Sequence, residues 1–328
     1  MRYFVTGGTG FIGGRVVRQL LGDRHEVVAL VRDAKRAADL AGAGAVLAEG
    51  DITDRDSMRE PMRGVDGVFH IAAWYKVGAK DAKVAERINV EGTRNVLELV
   101  RDLSIPKAVY TSTVAVFSDT HGQLVDESYR FDGKHLSEYD RTKWLAHYDV
   151  AQPMIEKGLP LVIVMPGLVY GPGDHSSVRR SLVQFLQKKL PVVPEGAAYC
   201  WAHVEDTARG HILAMDKGKP GESYIIAGER HSFEEALAIA ESITGIPAPK
   251  RRVSPGTLRF MSKIMGVVGA VVPLPEDYHP ETLRVIAGAT YLGDNSKAKR
   301  ELGFNPRRLQ EGFKETLHHE MQLLNIPI

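Results

Sequence analysis

Thr6-Gly7-Gly8-Thr9-Gly10-Phe11-Ile12-Gly13 is the stretch on which the fold turns. An apolar run over 3–6 precedes it and a helix-like pattern over 13–21 follows it. Gly7, Gly10 and Gly13 stand three residues apart. Glycine there allows a tight turn, close approach of the backbone to a pyrophosphate, and close packing of helix on strand. A helix starting at this point offers unpaired N–H groups and the positive end of its dipole to phosphates. A lone glycine triplet is weak evidence; its place between a first strand and a first helix gives it weight. Thr9, Phe11 and Ile12 complete the turn and join the glycines as candidate cofactor-binding residues.

Working outward, short apolar runs at 3–6, 26–31, 45–49, 67–71, 107–111 and 161–165 read as buried strands. Helix-like stretches at 13–21, 55–62, 85–103 and 139–157 lie between them. Such alternation predicts an α/β fold, a parallel sheet covered on both faces and doubly wound by right-handed crossovers. After Met165 the texture changes, with Pro166, Gly167, Gly171, Pro172 and Gly173 within eight residues. A smaller substrate lobe is expected from 166–200 and 228–328, with 1–165 as the dinucleotide-binding domain and 201–227 returning to it. Helices are expected at 178–189, 233–244 and 309–323, and a strand at 223–227.

Composition narrows the function. The 328 residues carry 42 Lys+Arg against 41 Asp+Glu, a formal charge of +1. That balance argues against a general nucleic-acid surface. Apolar residues at 44% predict a packed core. One cysteine, Cys200, excludes an intramolecular disulfide and a Cys-rich metal site, and fits a cytoplasmic setting. No metal-ligand spacing is found among the 12 histidines. The longest apolar run, 264–274, is too short to span a bilayer and is expected to be buried or to line a pocket, with a shallow membrane contact as the alternative.

Candidate site residues follow the strand ends. Arg32 lies where a ribose-reading residue is expected, and an arginine there suits a 2′-phosphate, with Asp33 beside it. Asp51 and Ile52 are positioned to meet an adenine, although Asp51 also reads as a turn residue. Ala72 and Ala73 end the fourth strand with small side chains. Thr111, Ser112 and Thr113 end the fifth, where ligands of such sheets gather. Tyr139 and Lys143 stand at i, i+4 on one helix face, so that an ammonium can stabilise a phenolate for acid/base work.

Taken together, TGGTGFIG, HIAA, NVEGT, TST, YDRTK, PGLVYGPGD, HVEDTARG and KAKRELGF resemble an extended short-chain dehydrogenase/reductase of the epimerase/dehydratase type, with a dihydroflavonol-reductase-like texture. The resemblance runs from Arg2 to about Gly312. It implies a Rossmann domain with a C-terminal substrate lobe. It implies Tyr139 as acid/base, Lys143 on the nicotinamide ribose, and Thr113 orienting substrate beside Ser112. Asn89 matches an asparagine behind the site, and Pro166 to Val169 match a segment near the nicotinamide. Nucleotide-sugar dehydratases of this type carry Asp-Glu after the threonine, whereas Val114-Ala115 follow here. Epimerases often carry an arginine where Tyr199-Cys200-Trp201-Ala202 stand. Arg179, Arg180 and Arg209 are the nearest downstream cations for a diphosphate. The expectation is an oxidoreductase preferring NADP(H), with NAD(H) open, acting on a carbonyl or secondary alcohol of an apolar small molecule. A nucleotide-sugar epimerase holding NAD and a non-catalytic cofactor-binding protein are the alternatives. A homodimer is expected through Ile88, Val96, Leu97, Val100, Trp144, Leu145, Tyr148 and Ile155, with no nucleic-acid or membrane partner.

Overall fold

The computed structural model describes residues 1–75, 82–269 and 271–327. The strands β1 (Arg2–Thr6), β2 (Glu26–Val31), β3 (Val46–Glu49), β4 (Gly67–His70), β5 (Ala108–Thr111) and β6 (Leu161–Pro166) fall within a residue of the expected runs. β7 (Leu168–Tyr170), β8 (Val193–Pro194), β9 (Ala198–His203), β10 (Ser223–Ile226), β11 (Arg230–Ser232), β12 (Arg252–Val253) and β13 (Thr290–Tyr291) follow. Seven strands pair in the order β10-β6-β5-β4-β1-β2-β3, all parallel. Strand order reverses between β1 and β4, and the glycine-rich turn leaves β1 at that switch point.

Alternation along the strands feeds two cores. Tyr3, Val5, Val27, Ala29, Val109 and Val162 face the helices Phe11–Gly22 and Val204–Lys217. Phe4, Val28, Val68, Tyr110 and Ile163 face the helices over 92–102 and 138–156. β4, β5 and β6 are buried at every residue. β3 is the exception to the expected burial: it is a sheet edge, and Val46 is half exposed.

The lobe is built on a small sheet, β11-β9-β13 with β7 beside β9, and on the pair β12-β8. Residues 201–203 were expected to return to the large sheet. They pair instead with β7, and only the helix Val204–Lys217 and β10 go back. The apolar run at 264–274 also departs from expectation. The helix Pro255–Val268 packs Leu258, Met261 and Met265 on Leu283 and Ala287 but leaves Ile264, Val267 and Val268 outside. Val271 and Val272 are exposed as well, and Ala270 lies outside the described residues. Among the described residues no helix is long and apolar enough to cross a membrane.

Candidate active site

At the carboxyl end of β1, Gly7 adopts a φ of 76°, and a Cβ there would stand 2.6 Å from the Ala72 nitrogen. A Cβ on Gly13 would stand 2.1 Å from the Gly7 carbonyl oxygen. Gly10 caps the helix Phe11–Gly22 without a side-chain bond, and no acidic residue occupies its first turn. The amino end is therefore bare backbone carrying a positive partial charge, which fits the pyrophosphate of a dinucleotide. Thr9 and Gly10 are exposed there, with Phe11 and Ile12 half-buried behind them. Arg15 anchors the helix to the lobe junction, pairing with Glu205 at 2.7 Å and donating to the Pro172 carbonyl.

Arg32 is exposed at the end of β2. Its neighbour Asp33 caps the next turn, accepting from the Lys35 nitrogen at 2.9 Å and pairing with Arg36. Asp51 Oδ1 accepts from the Thr53 nitrogen and hydroxyl, both at 2.8 Å, so half of that carboxylate holds its own turn. Ile52 is buried against Gly92. The Ala72 nitrogen donates to Thr6 Oγ1, while Ala73 is exposed. Pro166 ends β6 and is buried; Val169, on β7, is half-buried.

Ser137 caps the helix Glu138–Leu145 and so fixes Tyr139 on its first turn. The Tyr139 phenol meets the Thr113 hydroxyl and, edge-on, the Tyr75 ring at 5.1 Å. Thr113 Oγ1 also accepts from the Ala115 nitrogen at 3.1 Å, which holds its rotamer. Ser112 faces the same helical run as Tyr139 but meets it about two turns further along. Its hydroxyl bonds His147 Nδ1 at 2.8 Å, and the structure does not bring it to Tyr139. Thr111 likewise turns its hydroxyl to His211 at 2.9 Å. Lys143 is buried and donates to the Tyr110 phenol at 3.0 Å and the Thr111 carbonyl at 2.8 Å.

The electrostatics differ from the sequence expectation of a phenol lowered by lysine. Burial raises Tyr139 well above the usual phenol range, Tyr75 adds to the rise, and the Thr113 bond only partly opposes it. Burial also lowers Lys143 to about 7. A phenol so placed keeps its proton at neutral pH.

Four residues that the sequence reading did not assign to the site extend it. Thr6 Oγ1 bonds His70 Nδ1 at 2.8 Å, and His70 Nε2 bonds Thr93 Oγ1 at 3.0 Å. Thr93 reaches the Tyr110 phenol, to which Lys143 donates. Burial lowers His70 to about 3, so it is neutral in this string. A signal existed: Thr6, His70 and Tyr110 are polar residues in register across β1, β4 and β5. Asn89 is buried and engaged internally. It accepts from the Trp74 nitrogen at 2.7 Å and donates to the Trp74 carbonyl and to Thr142 Oγ1. It ties the loop after β4 to the helix that bears Tyr139.

Beyond Tyr139, Tyr291 donates to buried Asp140 at 3.0 Å, and Tyr199 stacks on Tyr291 at 6.1 Å. Trp201, expected on the approach to the site, is instead buried in the lobe core against Tyr170 and Phe313. Phe260, Val267, Val268 and Val271 also lie outward and do not supply lobe walls. Arg179 pairs with Glu320, Arg180 with Asp277, and Arg209 with Asp23. A hollow of about 370 Å³ lies at the opposite ends of β5 and β6, lined by Val100, Ile105, Met154 and Leu159, far from this chemistry.

Comparison with known proteins adds three findings. The model of the NAD dependent epimerase/dehydratase family matches residues 3–227. A Synechocystis sp. protein provisionally named dihydroflavonol 4-reductase is 34% identical, over 96% of this chain and 93% of its own. Sterol demethylase protein B of Methylococcus capsulatus is 30% identical, over 97% of each. The crystal structure of DesIV, a dTDP-glucose 4,6-dehydratase from Streptomyces venezuelae with NAD bound, superposes with a TM-score of 0.78. It is 26% identical, over 98% of this chain and 97% of that one.

Proposed function

The chain belongs to the NAD dependent epimerase/dehydratase family, within the extended short-chain dehydrogenases/reductases, and from that premise we propose that it is an NADP-preferring reductase of an apolar carbonyl compound. The observation that carries the reading is the Tyr139–Thr113 hydroxyl pair at the carboxyl end of β5, with Lys143 buried behind it. A bound nicotinamide supplies or accepts the hydride. Thr113 donates to the carbonyl oxygen as negative charge grows there. Tyr139, protonated at neutral pH, delivers its proton to the nascent alkoxide. Lys143 and the string through Tyr110, Thr93 and His70 hold that geometry. Ser112 supports it indirectly, by fixing His147 on the same helix.

The apolar substrate class rests on what flanks the site. Among the described residues, Tyr75 lies against Tyr139, and Tyr291, with Tyr199 stacked on it, bonds Asp140. The three arginines considered for a diphosphate are each held by a carboxylate. The NADP preference rests on Arg32, which is exposed while the turn occupies Asp33. A nucleotide-sugar epimerase with NAD is the second reading, favoured by the family match and the dehydratase structure.

The test is a turnover panel of the purified chain with NADPH and NADH. Aromatic, steroid-like and aliphatic ketones are set against UDP- and GDP-sugars, with the Arg32→Ala variant alongside. NADPH-dependent reduction of the ketones, with NADPH affinity falling at least about tenfold in Arg32→Ala and NADH affinity nearly unchanged, is expected from loss of a charge-assisted contact. Conversion confined to the nucleotide sugars overturns the reading in favour of the epimerase. A homodimer is kept as part of the proposal, with half-buried Ile88, Trp144, Leu145, Tyr148 and Ile155 as the residues left to face a partner. Val96, Leu97 and Val100 are buried in the chain's own core, and Arg130 lies over the Trp144 and Tyr148 rings. Light scattering against the 36.1 kDa chain mass reads that state.

A further inference from the structure

We propose that the outer face of the helix Pro255–Val268 is a docking surface for an anionic lipid bilayer, on which the chain lies without crossing it. At 100° per residue, Phe260, Ile264 and Val267 fall within a narrow stripe, and all three are exposed, Val267 at 74%. Val271, at 85%, and Val272 continue the apolar surface beyond the helix end. The opposite face is already covered, with Leu258 and Met265 against Leu283 and Ala287, and Ser262 donating to the Pro280 carbonyl. The stripe is therefore surplus to folding, and contiguous exposed apolar surface marks an interaction site.

Charge selects the occupant. Residues 250–275 contain Lys250, Arg251, Arg252, Arg259 and Lys263 and no acidic residue, in a chain whose net charge is +1. Arg259 and Lys263 lie along one edge of the stripe on the helix itself and are exposed, Arg259 also donating to the Ala287 carbonyl. An apolar stripe edged by cations suits the boundary between acyl chains and anionic headgroups. A second copy docking through the same patch would set these like charges against each other. The helix has 14 residues, too short to span a bilayer but long enough to lie in its surface.

One helix separates the helix that carries this surface from the candidate active site. The helix Pro280–Ile286 beneath it meets the segment that opens the Tyr139 helix, with Arg284 donating to the Leu136 carbonyl at 3.1 Å and Glu281 accepting from the Glu138 nitrogen. A bilayer held here would bring dissolved apolar compounds to the edge of the lobe. The docking itself does not depend on what the site reduces.

The experiment is co-sedimentation of the full chain with phosphatidylcholine vesicles, with and without about 30% phosphatidylglycerol. Binding to the anionic vesicles, weakened by salt, is expected. Phe260→Glu/Val267→Glu should lower the partition coefficient at least about tenfold, and Lys263→Glu about fivefold or more. These side chains point to solvent, so circular dichroism and thermal midpoint should match the parent. Should the double variant misfold, Val271→Glu, outside the helix, decides the same question. No partition into anionic vesicles, or equal partition by parent and variants, overturns the proposal. So does light scattering that shows a dimer dissolved by the same substitutions, which would assign the face to a protein contact.

Discussion

Tyr139 and Lys143 are set by burial in opposite senses, and each has a measurable consequence. The phenol is held protonated, with Thr113 beside it. Replacing Tyr139 by Phe removes the proton donor and little else, so turnover should fall about 100-fold or more with NADPH affinity nearly unchanged. Equal turnover by the two proteins at pH 7 would take Tyr139 out of the mechanism. Lys143, lowered to about 7 from 10.5, is a cost to the fold. As pH falls from about 10 to about 7, the unfolded chain takes up this proton and the folded chain does not, so the stability contribution falls. Below about 7 both states hold it and the cost levels off. The thermal-midpoint advantage of Lys143→Met over the parent should therefore widen from pH 10 to pH 7 and stay constant below, while turnover is lost. A difference independent of pH would show that the lysine is not titrated by folding. At this scale the sequence placed Tyr139 and Lys143 on one helix, and the Tyr139 phenol meets Thr113, whereas the Lys143 ammonium goes to the Tyr110 phenol and the Thr111 carbonyl. It did not show direction. Ser112 and Thr111 turn to His147 and His211 because strand alternation aims their hydroxyls, and those partners stand 35 and 100 residues away.

The glycine turn and the two long helices show how elements hold the residues in place. The turn was legible because its constraint is local: Gly13 is needed where the helix passes the Gly7 carbonyl. Gly13→Ala puts a methyl into that contact at 2.1 Å. Overpacking of this kind costs about 1–3 kcal/mol, and here it also displaces the N–H groups offered to phosphate. NADPH affinity should drop at least about tenfold and the thermal midpoint by several degrees, both read in one differential-scanning titration. An unchanged affinity would mean that the turn does not hold the dinucleotide. The helices at 85–103 and 139–157 were legible in extent but not in form. Each contains a π-helical turn, Arg87–Glu91 and Ala146–Ala151. In the second, Pro153 follows directly. Its ring clashes with a carbonyl one turn back and it lacks an N–H, and the widened turn accommodates both. In the first, buried Asn89 sits inside the π turn and bonds the Trp74 backbone and Thr142. Periodicity over a dozen residues does not resolve one inserted residue. The small strands of the lobe escaped for another reason. They are two to six residues long and pair across long gaps, as Ala198 does with Thr290.

At the scale of the molecule, function depends on how the lobe is fixed over the sheet, and Arg307 is the side chain that fixes it most directly. Its backbone nitrogen and Nε both donate to Asp206 Oδ2 at 2.9 Å, and one terminal nitrogen donates to Asp206 Oδ1 at 2.9 Å. The other donates to Glu315 at 2.9 Å. Asp206 lies in the helix Val204–Lys217, which packs on the large sheet. Glu315 lies in the helix Leu309–Leu323, whose Leu309, Phe313 and Leu317 belong to the lobe core. The fork therefore spans the junction, and a planar guanidinium fixes angle as well as distance. Its side chain is 29% exposed, so solvent screening discounts the pair and about 1–2 kcal/mol is the expected contribution. Arg307→Ala should lower the thermal midpoint by a few degrees. The proposed cofactor-binding groups stand chiefly on the large sheet, so NADPH affinity should hold. Substrate is to be gripped between Tyr139 on one body and lobe residues on the other, so KM should rise more than kcat falls. Arg307→Lys keeps the charge but loses the fork, and should restore stability more than KM. If Arg307→Ala leaves both the thermal midpoint and KM at parental values, the junction is set by core packing alone. If it weakens NADPH binding as much as substrate binding, the two bodies do not divide the ligands in this way.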